Sequence, residues 1–355
     1  MGLIRFFLAI SVVISHNGIR VPGIEGALAV MAFFVISGFY MALVLNEKYQ
    51  NNTMGFYVAR YLRLWPSYII VFSIVTLFVT PVETQIYENV SAAIFVWLSS
   101  LSLLFTQLLW WFGLDASGHI VFMSKEMEGS GVKLLTNAAH MQHMWSVGVE
   151  ICFYLVAPLF ARKLKVIIPL FILSAILYAV IKYTTVYHNP FNYRSAISSF
   201  WLFLSGMLAY FGWSKFRVRL DSCNLNPILL SITGLFVTIL CIAISWHHFE
   251  SPLVIIGSFI VFAISIIPIF EATKLCKWDK VIGELSYPIY LTHWPIVAFI
   301  VTDHRGSWLW SFIMIAESIV CAAILHFCVE THIEKYRRKF ANRKPYPQSA
   351  SASDN

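Results

Sequence analysis

Arg5 and His16, both in the first apolar segment, have residue types and a spacing suited to chemistry. The segment reads MGLIRFFLAISVVISH, and the two residues are eleven positions apart. At 100° per residue, eleven positions return to the same helix face, about 16 Å farther along the axis. A guanidinium and an imidazole on one face of a membrane helix are costly unless they have partners or a function. This pair is therefore the first candidate for catalysis.

Glu150 is the second candidate, within the apolar segment MWSVGVEICFYLVAP. It lies about 12 Å below the predicted outer end of its span, where a carboxylate is usually paired or functional. We expect His16 at a similar depth, so the two side chains could meet. An imidazole whose ring N–H is held by a carboxylate is a typical general base. A buried structural ion pair would explain the same two residues.

Arg60 and Arg63 lie three residues apart in the amphipathic stretch MGFYVARYLRL. Their spacing places both on one helix face at the predicted cytoplasmic surface. Guanidinium groups bind phosphate through two parallel hydrogen bonds, so the pair predicts a phosphate clamp for a nucleotide-bearing donor. Anchoring to lipid head groups is the commoner role of such a pair and stays open.

Polar residues interrupt two further apolar segments. Ser37 precedes Gly38, which could let a neighbouring helix approach closely. The segment GELSYPIYLTHWPI places Tyr287, Tyr290 and His293 on a semi-polar helix. Aromatic packing would account for the tyrosines, and an interior hydrogen-bonded histidine would account for His293.

The composition places these residues in an all-α polytopic membrane protein. Hydrophobic residues make up 59% of the chain and charged residues only 12%, whereas a soluble domain is roughly 25% charged. The net charge of +7 comes from basic loops and does not indicate a nucleic-acid partner. The six cysteines form no CxxC motif, so we predict neither a disulfide nor a metal site. No small-residue cleavage site follows the first segment, which we therefore interpret as a span rather than a signal peptide.

The distribution of basic residues selects among topologies for eleven apolar stretches. If all eleven crossed the membrane, basic clusters would fall on both sides, against the positive-inside rule. If instead the stretch 88–114 enters and leaves on one face, eighteen lysines and arginines are cytoplasmic and six are outside. We therefore predict about ten transmembrane helices, a re-entrant stretch near 88–114 and both termini in the cytoplasm.

The chain divides into two predicted parts. Residues 1–335 form one membrane-embedded domain. Residues 336–355 are polar and low in complexity, which predicts a disordered cytoplasmic tail.

Taken in order along the chain, the motifs resemble those of the acyltransferase-3 family of integral membrane acyltransferases. The resemblance covers roughly residues 3–335. It rests on these motifs: Arg5-x10-His16, Ser37-Gly38-Phe39, Arg60-x-x-Arg63, His143-x-Trp145-Ser146-x-x-x-Glu150 and Ser286-Tyr287-x-x-Tyr290-Leu291-x-His293. The chain departs from the family where Gly148 replaces a common serine and Glu150 stands without a second acidic residue.

The resemblance implies an O-acetyltransferase in the bacterial inner membrane, with cytoplasmic acetyl-CoA as the donor co-substrate and no metal. The implied acceptor is a sugar hydroxyl of a cell-surface polysaccharide or its lipid-linked precursor, such as O-antigen, capsule or exopolysaccharide. The implied catalytic residues are His16 and Glu150, and the implied donor-binding residues are Arg5, Arg60 and Arg63. The remaining motif residues would contact substrate or support the site: Ser37, Trp145, Ser146, Tyr287 and His293.

Two mechanisms and two other functions stay open. His16 could act as general base on the sugar hydroxyl, or it could carry the acetyl group itself as a covalent relay. A flippase or transporter of a lipid-linked sugar would also need many spans and buried charges. An acyltransferase for a small non-polysaccharide acceptor would share the motifs. The sequence does not predict the oligomeric state, and membrane lipids are the only other partner that it implies.

Overall fold

A computed structural model provides the fold. It describes residues 1–19, 21, 25–123, 131–184, 189–222, 226–245, 251–300 and 306–340. The α-helices in chain order are α1 Gly2–His16, α2 Gly26–Glu47, α3 Thr53–Phe78, α4 Val90–Ser102, α5 Trp145–Phe160, α6 Leu164–Thr184, α7 Asn189–Asn192, α8 Ala196–Ser222, α9 Pro227–Ser245, α10 Pro252–Thr273, α11 Lys277–Glu284, α12 Ser286–Ile300, α13 Trp308–Leu325 and α14 Thr331–Arg337.

The helices are those of a multi-pass membrane protein. Seven helices in the described part of the chain are long and apolar enough to cross a bilayer, and α1 and α4 are shorter apolar helices. Each of the ten predicted spans contains one of the helices. Many leucine, isoleucine and phenylalanine side chains on their outer faces are exposed, as expected where lipid replaces water.

The stretch 88–114 is not a continuous span. Helix α4 ends at Ser102, and both Leu103 and Phe105 adopt the left-handed conformation, which turns the chain before a 3-10 helix at Thr106–Trp110. The Tyr68 hydroxyl on α3 donates to the carbonyl of Ser100 at 2.7 Å. A neighbouring helix thus satisfies a carbonyl at the end of α4, as non-helical backbone at membrane depth requires.

A small antiparallel sheet follows this turn, and the sequence did not predict it. Its strands are β1 Phe112–Leu114, β2 Ile120–Phe122 and β3 Lys133–Leu134, in the order β2-β1-β3. The chain between α3 and α5, here called the α3–α5 connection, contains α4 and this sheet. It has its own apolar cluster, which holds the connection together against the other helices. Its members include Ile86, Ala92, Val96, Leu109, Leu135 and Ala138.

Helices α2 and α8 cross at two glycines. A Cβ on Gly38 would overlap the backbone of Phe203, and a Cβ on Gly206 would overlap the carbonyl of Val35. The close approach stacks Phe34 on Phe203, with ring centroids 4.8 Å apart. The prediction that Gly38 admits a neighbouring helix is therefore confirmed.

The first turn of α1 rests on α11. Asp279 accepts hydrogen bonds from the backbone N–H groups of Gly2 at 2.8 Å and Leu3 at 2.9 Å, and its carboxylate lies 3.1 Å from the amino group of Met1. Burial raises the pKa of Asp279, but these donors outweigh burial and hold its pKa below the ordinary value. A carboxylate from another element thus takes the place of an N-cap side chain.

Two predicted boundaries need correction. The amphipathic stretch around Arg60 and the third predicted span are one helix, α3, which continues through Pro66. Residues 336–340 are helical and follow a π-helical turn at His326–Glu330, so the first part of the predicted tail is structured. Residues 341–355 lie outside the described part of the chain.

Candidate active site

Five helices enclose a cavity, here called the arginine cavity, of about 740 Å³, part of it open to solvent. Helices α1, α2, α3, α5 and α12 each contribute polar side chains to its wall. These are Arg5, Ser37, Tyr40, Arg60, Arg63, Ser146, Glu150, Tyr154, Ser286, Tyr287 and Tyr290. The helix periodicity explains the set, since Ser146, Glu150 and Tyr154 recur every four residues on α5.

The three arginines give the cavity a positive charge. Arg60 is buried, and its Nε has no hydrogen-bond partner. No carboxylate lies within 4.0 Å of the guanidinium groups of Arg5, Arg60 or Arg63 in the ranges that the structure describes. Unpaired guanidinium groups suit an anionic ligand such as phosphate. Arg60 therefore faces a cavity, and the interpretation of this residue as a surface lipid anchor is wrong.

Glu150 belongs to the arginine cavity and does not hold His16. The Ser37 hydroxyl donates to Glu150 Oε1 at 2.5 Å, and the Tyr154 hydroxyl donates to the same oxygen. The predicted Glu150–His16 contact is therefore wrong, because the rotation of α5 aims the carboxylate at α2. The carboxylate also interacts electrostatically with Arg5 and Arg63.

A hydrogen-bonded pair links the cavity to a second polar region. The hydroxyls of Ser146 and Tyr290 lie 2.6 Å apart, and the Tyr290 hydroxyl donates to the carbonyl of His143 at 2.8 Å. Both hydroxyls also line the arginine cavity. Of the other predicted residues, Tyr287 donates to the carbonyl of Leu64, while Trp145 packs edge-on against Tyr193 and does not line the cavity.

The second region, here called the histidine cluster, consists of His16, His143 and His293. The ring centroid of His293 lies 5.0 Å from that of His16 and 5.0 Å from that of His143. Trp294 lies beside both partners, 5.4 Å from His16 and 5.6 Å from His143. Three chain segments thus bring three imidazoles together: α1, the 3-10 helix Gln142–Met144 just before α5, and α12.

Backbone hydrogen bonds define the tautomers of two of these histidines. His16 Nδ1 lies 2.9 Å from the carbonyl of Val12, and His293 Nδ1 lies 2.6 Å from the carbonyl of Tyr290. A carbonyl only accepts, so each Nδ1 carries the hydrogen and each Nε2 presents a lone pair. A free lone pair on Nε2 is what a general base or a nucleophile needs. The carbonyl of Val12 thus does for His16 what Glu150 was expected to do.

His143 is a site residue that sequence reasoning missed. It is buried, and neither of its ring nitrogens has a hydrogen-bond partner. It stands seven residues before Glu150, two helical turns along the same face, and this periodicity could have identified it. In the sequence, His143 stands out only as the first position of the motif that ends at Glu150.

The two regions together form a polar path through the helices. Helix α1 contributes Arg5 to the cavity and His16 to the cluster, and α12 contributes Tyr287 and His293 in the same way. The eleven residues between Arg5 and His16 correspond to about 16 Å along the axis. Such a path can hold an anionic head at one end and expose a reactive group to a base at the other.

Comparison with known proteins identifies a family and relatives for this chain. The profile of a protein family described as an acyltransferase domain matches residues 1–327. The chain is 25% identical to "O-acetyltransferase OatA" of Staphylococcus aureus, over 94% of this chain and 56% of that protein. It is 24% identical to "Peptidoglycan O-acetyltransferase OatA" of Listeria monocytogenes, over 87% of this chain and 51% of that protein.

The chain spans about half the length of these curated relatives. No solved structure matches it.

Proposed function

Because this chain belongs to the acyltransferase-3 family, we propose that it is a membrane O-acetyltransferase that moves an acetyl group from acetyl-CoA to a sugar hydroxyl of a cell-surface glycan. The observation that carries the proposal is a polar path that leads from three arginines to three clustered imidazoles. None of these arginines has a carboxylate within 4.0 Å among the described residues. The arginines and the imidazoles lie at different ends of this path. Transfer between two substrates that approach from opposite sides of the membrane requires such a separation.

The arginine cavity is the donor site in this proposal. Arg60, Arg63 and Arg5 bind the phosphates of acetyl-CoA, whose charge they match and whose oxygens accept from guanidinium N–H groups. The uncharged acyl-bearing arm extends past the Ser146–Tyr290 pair toward the histidine cluster. In this proposal the cavity opens to the cytoplasm, the side to which the positive-inside rule assigns the basic loops.

Transfer takes place at the histidine cluster. His16 Nε2 accepts the proton of the sugar hydroxyl, and the sugar oxygen attacks the thioester carbonyl carbon. The carbon–sulfur bond breaks, and the imidazolium returns the proton to the leaving thiolate, so that an O-acetyl sugar and free CoA result. Attack by His16 Nε2 itself, followed by transfer from an acetyl-imidazole, uses the same lone pair.

Glu150 positions donor-side groups in this scheme. Its carboxylate holds Ser37 and Tyr154 and partly neutralises Arg5 and Arg63. It therefore shapes the donor site and makes no contact with the reacting hydroxyl.

The names of the relatives support an acceptor of the peptidoglycan type. Two of them are O-acetyltransferases, and one is named for peptidoglycan. A glycan outside the bacterial plasma membrane, or its lipid-linked precursor, would approach the histidine cluster from the side opposite to the donor.

NMR of cell-wall glycan tests the proposal, in a deletion strain that carries wild type, His16→Ala or His119→Ala. We expect wild type to restore O-acetyl resonances and His16→Ala to lose them, because general-base catalysis contributes about 10²–10⁴-fold. The matched control is His119, whose side chain is 79% exposed and lies outside both site regions. Equal acetylation by wild type and His16→Ala at equal membrane levels would refute the mechanism. Absence of acetyl resonances with wild type would favour the flippase alternative.

A further inference from the structure

Arg194 lies just before α8 and is not part of the path described above. Its guanidinium carbon lies over the ring of Trp110, 3.4 Å from the centroid, and 5.8 Å from the ring centroid of Trp145. Trp110 belongs to the 3-10 helix that follows α4. The contact with Arg194 therefore joins the chain between α3 and α5 to the helix bundle. Stacking restricts the guanidinium to one orientation.

Arg194 has no carboxylate close enough to act as a counterion among the residues that the structure describes. No carboxylate lies within 4.0 Å of it in the described ranges, and its buried Nε has no hydrogen-bond partner. Burial lowers the pKa of Arg194 to about 10, so the group stays charged at neutral pH. A half-buried cation is costly when no carboxylate lies near it, and an anionic ligand would reduce that cost.

The position of Arg194 relates this charge to the histidine cluster. The guanidinium interacts electrostatically with His16 and with Tyr290. The donor phosphates are assigned to the arginine cavity, about 16 Å away along α1. In the proposed scheme Arg194 is therefore on the acceptor side of His16, beside the rings of Trp110 and Trp145.

We propose that Arg194 binds an anionic group of the acceptor glycan, a carboxylate or a phosphate, and so holds a sugar hydroxyl at His16. The inference rests on the proposed function and adds the chemical class of its acceptor. Arg194 is a specificity-determining residue in this view. It selects acidic or phosphate-bearing glycans over neutral ones because guanidinium forms two parallel hydrogen bonds with an oxyanion.

A transfer assay in nanodiscs, with acetyl-CoA and three acceptors, tests the proposal. The first acceptor is a neutral N-acetylglucosamine oligomer. The second alternates N-acetylglucosamine with N-acetylmuramic acid and so carries carboxylates. The third is the neutral oligomer on a polyprenyl diphosphate. We expect Arg194→Gln to lower kcat/KM about tenfold for the second or the third acceptor, with an unchanged KM for acetyl-CoA. The acceptor that responds identifies the anion as carboxylate or phosphate.

Two further variants separate specificity from structure. Arg194→Lys keeps the charge without the planar fork, so we expect partial recovery. Lys133→Gln is the matched control, since Lys133 belongs to the same connection but pairs with Glu83 at 3.4 Å. It should leave all three acceptors unaffected. Equal losses by Arg194→Gln on neutral and anionic acceptors, or no loss at all, would overturn the proposal.

A binding measurement without turnover separates this inference from the proposed function. Calorimetry should show that wild type binds the muramic-acid or diphosphate acceptor about tenfold more tightly than the neutral oligomer. Equal affinities would refute the role of Arg194 even if acetyl transfer occurs, and the wild-type comparison holds if Arg194→Gln fails to fold. Tight anionic binding without any acetyl transfer would refute the proposed function alone.

Discussion

The arginine cavity and the histidine cluster are neighbouring polar regions that leave different atoms unpaired. In the cavity, one oxygen of Glu150 accepts from two hydroxyls, while the guanidinium groups have no carboxylate beside them in the described ranges. In the cluster, His16 and His293 give their Nδ1 hydrogens to carbonyls of their own helices, while His293 Nε2 and both ring nitrogens of His143 have no partner among the described residues.

This difference separates binding from chemistry. A cavity with spare donors and positive charge is complementary to an anion. A cluster with spare lone pairs is complementary to a proton or an electrophilic carbon. The Ser146–Tyr290 pair stands where the two meet and contacts both regions. Variants on either side should therefore affect different kinetic constants.

The largest expected effect on a KM comes from the cavity arginines. Arg60→Gln and Arg63→Gln should each raise the KM for acetyl-CoA about tenfold, because each removes charged hydrogen bonds to phosphate. The KM for the acceptor should stay unchanged in steady-state transfer assays. Arg338→Gln is the control, since Arg338 is exposed and pairs with Glu334 at 3.1 Å. A matching rise in both KM values would show that the two regions do not divide the substrates between them.

Glu150→Gln should have a smaller effect, and it tests most directly whether the arginine cavity and the histidine cluster act separately. The amide keeps an oxygen for Ser37 and Tyr154 but removes a negative charge near Arg5 and Arg63. We expect the KM for acetyl-CoA to fall roughly threefold, because phosphate no longer approaches a carboxylate. The pH profile of kcat should not change, because the carbonyl of Val12 holds the His16 tautomer. A loss of kcat near 10²-fold would restore the His16–Glu150 pair as the base.

Asp279→Ala should leave both sets of kinetic constants unchanged and lower stability. It removes the acceptor for the N–H groups of Gly2 and Leu3, at a cost of about 1–3 kcal/mol. Because the folded-state pKa of Asp279 is lowered, its contribution is present above its unfolded pKa and is lost as pH falls through the folded pKa. The Tm difference from wild type should therefore shrink below about pH 4. Asp279→Asn keeps an acceptor oxygen and should lose less, and an unchanged Tm for Asp279→Ala would contradict the contact.

The sequence predicted helices well and side-chain partners poorly. Long apolar runs have few alternatives in a membrane, so every predicted span contains a helix. Strands of two or three residues, such as β1 and β3, are too short to show the alternation of apolar and polar residues that predicts a strand. The sequence alone does not indicate a role for Arg194, because its contact with Trp110 joins two segments about eighty residues apart.

By itself, the sequence determined the membrane setting, the helical segments and the common face of Arg5 and His16, because hydropathy and the 3.6-residue period are local properties. Only the tertiary structure decided what each polar side chain meets. The rotation of α5 turned Glu150 toward Ser37, and the packing of α1 against α12 brought His16 to His293. Helix rotation and crossing are set by packing between helices, and van der Waals contacts among distant residues leave no periodic pattern in the chain.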